Sequence, residues 1–139
     1  MAKDSLHRGW RSVYRLTAHV VLTTKYRHKV LSRVILDRFS EIAADRCRGW
    51  KAELLECNGE ADHVHLLIDY PPDMAVSSFV ANLKTTSSRL LRKEFPELHR
   101  HYRKPVLWTG AYFVVSTGGA PIEVLRSYIQ GQGADSSSR

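Results

Sequence analysis

Two strand-like runs, residues 51–57 and 62–70, stand back to back in the middle of the chain, joined through Asn58-Gly59-Glu60. A connection that short allows only an antiparallel hairpin, and Asn-Gly is a strong turn signal between two such runs. Pro71-Pro72-Asp73 ends the second run, because proline cannot donate to a sheet ladder. A lone hairpin is not stable in water, so the flanking segments must cover one of its faces.

Those flanks are nearly symmetrical. Residues 13–26 predict a strand centred on Leu16-Thr17-Ala18-His19-Val20-Val21-Leu22-Thr23-Thr24, which is rich in β-branched residues. A basic connector, Lys25-Tyr26-Arg27-His28-Lys29, follows. Ile35, Leu36, Phe39, Ile42 and Ala43 then recur at helical spacing over 34–47, with Gly49 as the expected stop. Beyond the hairpin, Phe79, Val80, Leu83, Leu90 and Leu91 predict a helix over 76–95, closed by Pro96. Residues 108–117 predict a strand, Gly118-Gly119 a turn, and Pro121 opens a last helix over 122–132. The order strand, helix, strand, strand, helix, strand is the split βαβ, ferredoxin-like plan. The expected class is therefore α+β: an antiparallel sheet with helices on one face and an added C-terminal helix. The expected organisation is one domain over residues 1–139, with flexible ends at 1–10 and 133–139.

A chain of 139 residues can bury a proper core without disulfide or zinc support. Cys47 and Cys57 form no Cys-x-x-Cys pair and read as reduced, packed thiols. No run is long and apolar enough to span a bilayer, and residues 1–5 lack the apolar stretch of a secretory signal. A cytoplasmic protein with no membrane partner is expected. Lys plus Arg number 21 against 14 Asp plus Glu, a net charge of +7, and such an excess in a small domain points to a polyanionic partner.

The sharpest local feature is His63-Val64-His65. On a strand, residues i and i+2 share a face, so the imidazoles project side by side. Two neutral imidazoles can ligate one divalent ion, but two ligands do not close a site; a pair of half-buried histidines is the alternative. Asp62 can orient an imidazole or serve only as a turn residue. In the last helix Tyr128 and Gln132 share a face with Leu125, and that stripe by itself also reads as ordinary packing. Basic residues cluster twice: around Lys25, Arg27 and Lys29, and around Lys84, Arg89, Arg92, Arg103 and Lys104. Trp10, Tyr14, Tyr26, Tyr102 and Trp108 are interleaved with the two clusters. Cations contact phosphates and aromatic faces stack on unpaired bases, so nucleic acid is favoured over a merely solvated surface.

Taken in order, several stretches resemble the small single-tyrosine transposases of the HUH superfamily, the insertion sequence 200/605 type. They are Thr24-Lys25-Tyr26-Arg27-His28-Lys29-Val30-Leu31, Asp62-His63-Val64-His65-Leu66-Leu67-Ile68, Leu83-Lys84 with Ser87-Ser88-Arg89, Phe95-Pro96-Glu97-Leu98, Leu107-Trp108 with Tyr112-Phe113-Val114, Gly118-Gly119, and Tyr128-Ile129 with Gln132. The resemblance covers about residues 14–132. Glu60-Ala61 stands where members often have Met-Pro, and Gly131 interrupts the last helix.

The resemblance implies that His63, His65 and Gln132 are metal ligands for Mg²⁺ or Mn²⁺ and that Tyr128 is the catalytic nucleophile. It implies a transposase that cleaves and rejoins single-stranded DNA at the ends of an insertion sequence through a 5′-phosphotyrosine, recognising subterminal hairpins as a homodimer. The expected setting is a bacterial or archaeal cytoplasm, on the nucleoid when active. A domesticated relative acting on chromosomal repeat hairpins, or a non-catalytic ferredoxin-like nucleic-acid-binding module, are the alternatives.

Overall fold

The structure is a computed structural model, and it describes residues 6–8 and 13–116. The expected helix over 122–132, with Tyr128 and Gln132, lies outside the described residues, as does the 133–139 tail. Two short strands, β1 (His7–Arg8) and β2 (Val13–Tyr14), pair with each other. The main sheet follows: β3 (Thr17–Thr23), α1 (Arg33–Gly49), β4 (Glu53–Glu60), β5 (His63–Asp69), α2 (Val76–Glu94) and β6 (Phe113–Ser116). The sheet order is β4-β5-β3-β6, with every pairing antiparallel. This is the split βαβ plan read from the sequence.

Strand parity divides the residues of the sheet. Ala18, Val20 and Leu22 on β3, and Val64, Leu66 and Ile68 on β5, join Ile35, Phe39 and Ile42 of α1 and Phe79, Val80 and Leu83 of α2 in one buried core. Residues of the opposite parity, including His19, His63 and His65, lie on the other face. Arg38 on α1 reaches Glu94 at the end of α2 through two hydrogen bonds of 2.7 and 3.1 Å. Cys47 and Cys57 are free thiols, and burial pushes them up to about 12 and about 11, as expected of packed groups.

Three boundaries differ from the sequence reading. The hairpin turns at Ala61-Asp62, not at Asn58-Gly59, which both lie inside β4. Gly59 is required there by close approach rather than by a turn. A Cβ on it would sit 2.7 Å from Leu36 Cδ2 and 2.9 Å from the His63 carbonyl oxygen. Helix α1 does include Gly49, but the left-handed residue that ends it is Lys51, at φ 61°. Ala52 N–H then bonds the Cys47 carbonyl at 2.8 Å and Lys51 N–H the Arg48 carbonyl at 3.1 Å, the paired bonds of a Schellman stop. Strand β6 begins only at Phe113, and Trp108, expected in that strand, makes an isolated bridge to Thr24 and turns inward. Its ring packs on Phe39 at 5.5 Å between centroids, and its Nε1 donates to Ser87 Oγ at 3.0 Å.

Two outcomes are expected. Gly59→Ala forces either Leu36 or the backbone of β5 to move and should cost about 2 kcal/mol, read as a lower urea midpoint at unchanged slope. His19 is 1% exposed. Its burial, helped by the neighbouring His65, lowers its pKa from 6.5 to about 4. The unfolded chain therefore takes up a proton that the folded one refuses. Stability is complete above pH 6.5 and falls by on the order of 3 kcal/mol as the pH drops towards 4. Urea melts across that window should show the loss, and His19→Leu should reduce it.

Candidate active site

The site is built by register. Opposite one another stand Thr23 and His63, Val21 and His65, and His19 and Leu67 on β3 and β5, while β4 sets Glu60 beside His63 and Asn58 beside His65. The two imidazoles of the His-x-His pair are thereby brought together as expected, with ring centroids 6.1 Å apart and planes inclined by 29°. His63 is buried and His65 half-buried.

Asp62 acts on this pair directly. Its Oδ1 lies 2.9 Å from His63 Nδ1. A carboxylate there accepts the Nδ1 proton, which leaves the lone pair on Nε2. Asp62 Oδ2 in turn accepts from Arg27 Nε at 3.2 Å and lies 3.2 Å from the second Arg27 nitrogen. Burial alone would raise the Asp62 carboxyl. The hydrogen bond to His63 and the Arg27 charge outweigh it and hold the group below its ordinary range. The main chain fixes the same tip: Thr24 N–H bonds the Asp62 carbonyl at 2.9 Å and Leu31 N–H the Ala61 carbonyl at 2.9 Å. Burial, then the adjacent His63, lower the pKa of His65 against the opposing pull of Glu56 and Glu60. A lowered pKa keeps that imidazole neutral, the form a metal needs.

These donors fit a divalent ion as two of its ligands. Among the described residues no group of three or more His, Cys, Asp and Glu side chains is arranged to hold one, so further donors must come from elsewhere. His19 shares the face, with its ring 5.9 Å from His65 and 6.3 Å from Phe113, and neither ring nitrogen has a hydrogen-bond partner among the described residues. Sequence reading did not single His19 out. The signal was available in strand parity, which puts Ala18, Val20 and Leu22 of β3 on the core face and leaves His19 with the histidine pair.

The cations gather around the same end of the sheet. Lys25, Arg27 and Lys29 occupy the turn after β3, a 3₁₀ turn over Lys25–Arg27. The segment that carries Arg103 and Lys104 is tied to this turn through its neighbours His101 and Tyr102. Tyr102 O–H donates to the Lys25 carbonyl at 2.9 Å, and the His28 ring sits 5.4 Å from the Tyr102 ring and 5.8 Å from that of His101. A groove of about 310 Å³ between α2 and the 105–108 segment is lined by Lys84, Ser88, Arg89, Arg92 and Trp108. Lys84 is also a tether, donating to the Thr109 and Gly110 carbonyls at 2.7 and 3.1 Å. Of the interleaved aromatics, Tyr102 and Trp108 are buried and Tyr26 is exposed.

Comparison with known proteins gives one answer. The family described as transposase IS200 like matches residues 12–132. The transposase for insertion sequence element IS200 of Salmonella typhimurium is 32% identical over 130 residues, covering 94% of this chain and 82% of that one. The ISDra2 transposase TnpA of Deinococcus radiodurans is 29% identical over 127 residues, with 91% of each chain covered. A solved transposase structure from Deinococcus radiodurans R1 superposes with a TM-score of 0.75 at 31% identity, over 91% of this chain and 97% of that one. A REP-associated tyrosine transposase solved on a REP hairpin shares the fold, with a TM-score of 0.56 at 13% identity over 89% and 67% of the two chains. With its split βαβ sheet and the His63–His65 face, the chain belongs to the IS200-like transposase family.

Proposed function

We propose that this transposase cleaves and rejoins single-stranded DNA by a tyrosine mechanism. The observation that carries the reading is the oriented imidazole pair: His63, held through Nδ1 by Asp62, beside a half-buried His65 whose pKa is lowered. His63 and His65, with Gln132 as the family resemblance implies, would hold Mg²⁺ or Mn²⁺, which when bound withdraws charge from a scissile phosphodiester. Tyr128 supplies the nucleophile. Its oxygen bonds to phosphorus and gives up the phenol proton, the bond from phosphorus to the 3′ oxygen breaks, and the departing oxygen takes up a proton. The products are a 5′-phosphotyrosine and a free 3′ hydroxyl. Attack by another 3′ hydroxyl reverses the step and joins strands without a nucleotide cofactor, because the ester bond is conserved.

The chain's other residues bind and orient. Lys25, Arg27, Lys29, Arg103 and Lys104 near the histidines, and Lys84, Arg89 and Arg92 along the α2 groove, provide phosphate contacts for a folded strand. Their separation into two patches suits a substrate with an unpaired segment and a hairpin stem, and a fold relative has been solved on a REP hairpin. One chain carries one nucleophile, so cutting two element ends calls for two copies, and a homodimer is the simplest supply. The setting is the cytoplasm of a bacterial or archaeal cell; among the described residues no helix is long and apolar enough to cross a membrane.

The test uses the DNA that flanks the gene, as single strands, with Mn²⁺ or Mg²⁺. The wild-type protein should give a covalent protein–DNA band on a denaturing gel. Tyr128→Phe should give none, and an adduct formed by that variant would remove Tyr128 as the nucleophile. His63→Ala should abolish cleavage while leaving hairpin binding within a few-fold. Asp62→Ala frees the His63 ring and should raise the Mn²⁺ concentration needed for half-maximal cleavage about 10- to 100-fold. An unchanged requirement would show that Asp62 does not set the imidazole.

A further inference from the structure

Tyr26 is the most exposed large apolar residue among those described, at 74%. It also occupies a backbone conformation that a tyrosine rarely adopts, at φ 61° and ψ 12°, and Arg27 follows at φ 54°. Two successive side-chain-bearing residues in the left-handed region cost free energy that the surroundings must offset. The offset is visible. Thr24 Oγ1 donates to the His28 carbonyl at 2.8 Å, Arg27 N–H to the Thr24 carbonyl at 2.9 Å, and Lys25 N–H to the Leu107 carbonyl at 2.8 Å. Tyr102 clamps the Lys25 carbonyl from outside. None of these bonds uses the Tyr26 ring. The ring meets the His28 imidazole at 5.7 Å between centroids and the Lys25 ammonium at 5.4 Å from its centre. A residue that adds strain and buries little is not there for stability.

Its position suggests the use. The turn leaves β3 directly after Thr23, which pairs with His63, and its Arg27 holds Asp62, the residue that orients His63. The ring is therefore fixed to the end of the sheet where the imidazoles stand. Lys25, Arg27 and Lys29 lie on its own turn, and Arg103 and Lys104 adjoin Tyr102. A flat, exposed ring among cations matches a nucleobase next to its phosphates. An unpaired base is the fitting partner, because base faces inside a duplex are covered by their neighbours.

We propose that Tyr26 is a stacking platform that takes one unpaired base of the single strand whose phosphate reaches His63 and His65. The inference rests on the single-strand reading of function above. Buried Tyr102 and Trp108 cannot serve this way, whereas Tyr26 can do so without rearrangement.

The experiment uses the full chain and single-stranded element-end DNA carrying 2-aminopurine at successive positions, with the same sequence as a duplex for comparison. Wild-type protein and Tyr26→Phe should quench the probe at one position. Tyr26→Asn suits the left-handed backbone and removes the ring. It should lose the quenching and bind the single strand about ten-fold or more weakly, with duplex binding unchanged and a urea midpoint equal to or above that of wild type. Wild-type quenching and affinity in Tyr26→Asn would overturn the proposal. Equal losses on single strand and duplex with a lowered urea midpoint would also overturn it, by showing a structural role. The covalent band reports separately: quenching that depends on Tyr26, without any adduct from the wild type, leaves the platform standing and removes the cleavage reading.

Discussion

The antiparallel register of β5 against β3 is the constraint on which the rest of the molecule depends. Val64, Leu66 and Ile68 are at most 1% exposed against the helices, and strand periodicity then has no choice but to send His63 and His65 to the other face. A slip by one residue would put two imidazoles into an apolar core and three aliphatic side chains outside it, and many kilocalories would oppose that exchange. The core thus aims the site. Gly59 adds to the same restraint from β4, where the absent side chain lets Leu36 of α1 close down over the hairpin next to the His63 carbonyl.

A second tie converts aim into orientation. Asp62 sits at the hairpin tip, and its carboxylate joins the His63 ring to Arg27 while its carbonyl accepts from the Thr24 N–H. One residue therefore couples the tautomer of an imidazole to the conformation of the basic turn. The coupling ties the proposed metal ligands to the proposed phosphate contacts, so a strand held on the Lys25–Lys29 turn would also be held beside the histidines. The second patch, along α2, is joined to the first through Thr24, which bridges to Trp108, and through Tyr102, which caps Lys25. The cations of the two patches lie where the proposed strand would run, and affinity carried by such contacts falls with salt.

Most of the architecture was legible because it rests on periodicity. The two strand-like runs ended by Pro71-Pro72 and the 3.6-residue spacing in α1 and α2 are strong local signals, and the split βαβ order follows from them. What was misread depends on contacts between distant segments. Asn58-Gly59 looks like a turn, yet the glycine answers to Leu36. Gly49 looks like a helix stop, yet Lys51 takes the left-handed position. Within the site, the His63–His65 pairing was legible from the i, i+2 rule alone. The Arg27–Asp62–His63 chain was not, because Arg27 and Asp62 lie 35 residues apart in sequence. Tyr128 and Gln132 lie outside the described residues, so their roles stand on the resemblance and on the proposal built from it.

The central claim is that the face bearing His63 and His65 is where a divalent ion and a phosphodiester meet. The most direct measurement is the paramagnetic broadening of histidine ring resonances as Mn²⁺ is titrated into the protein with single-stranded element-end DNA. The expected result is early loss of the His63 and His65 signals, with His19 affected as their neighbour and the exposed His99 still sharp at the same metal concentration. Sharp His63 and His65 signals while the exposed histidines broaden would contradict the claim.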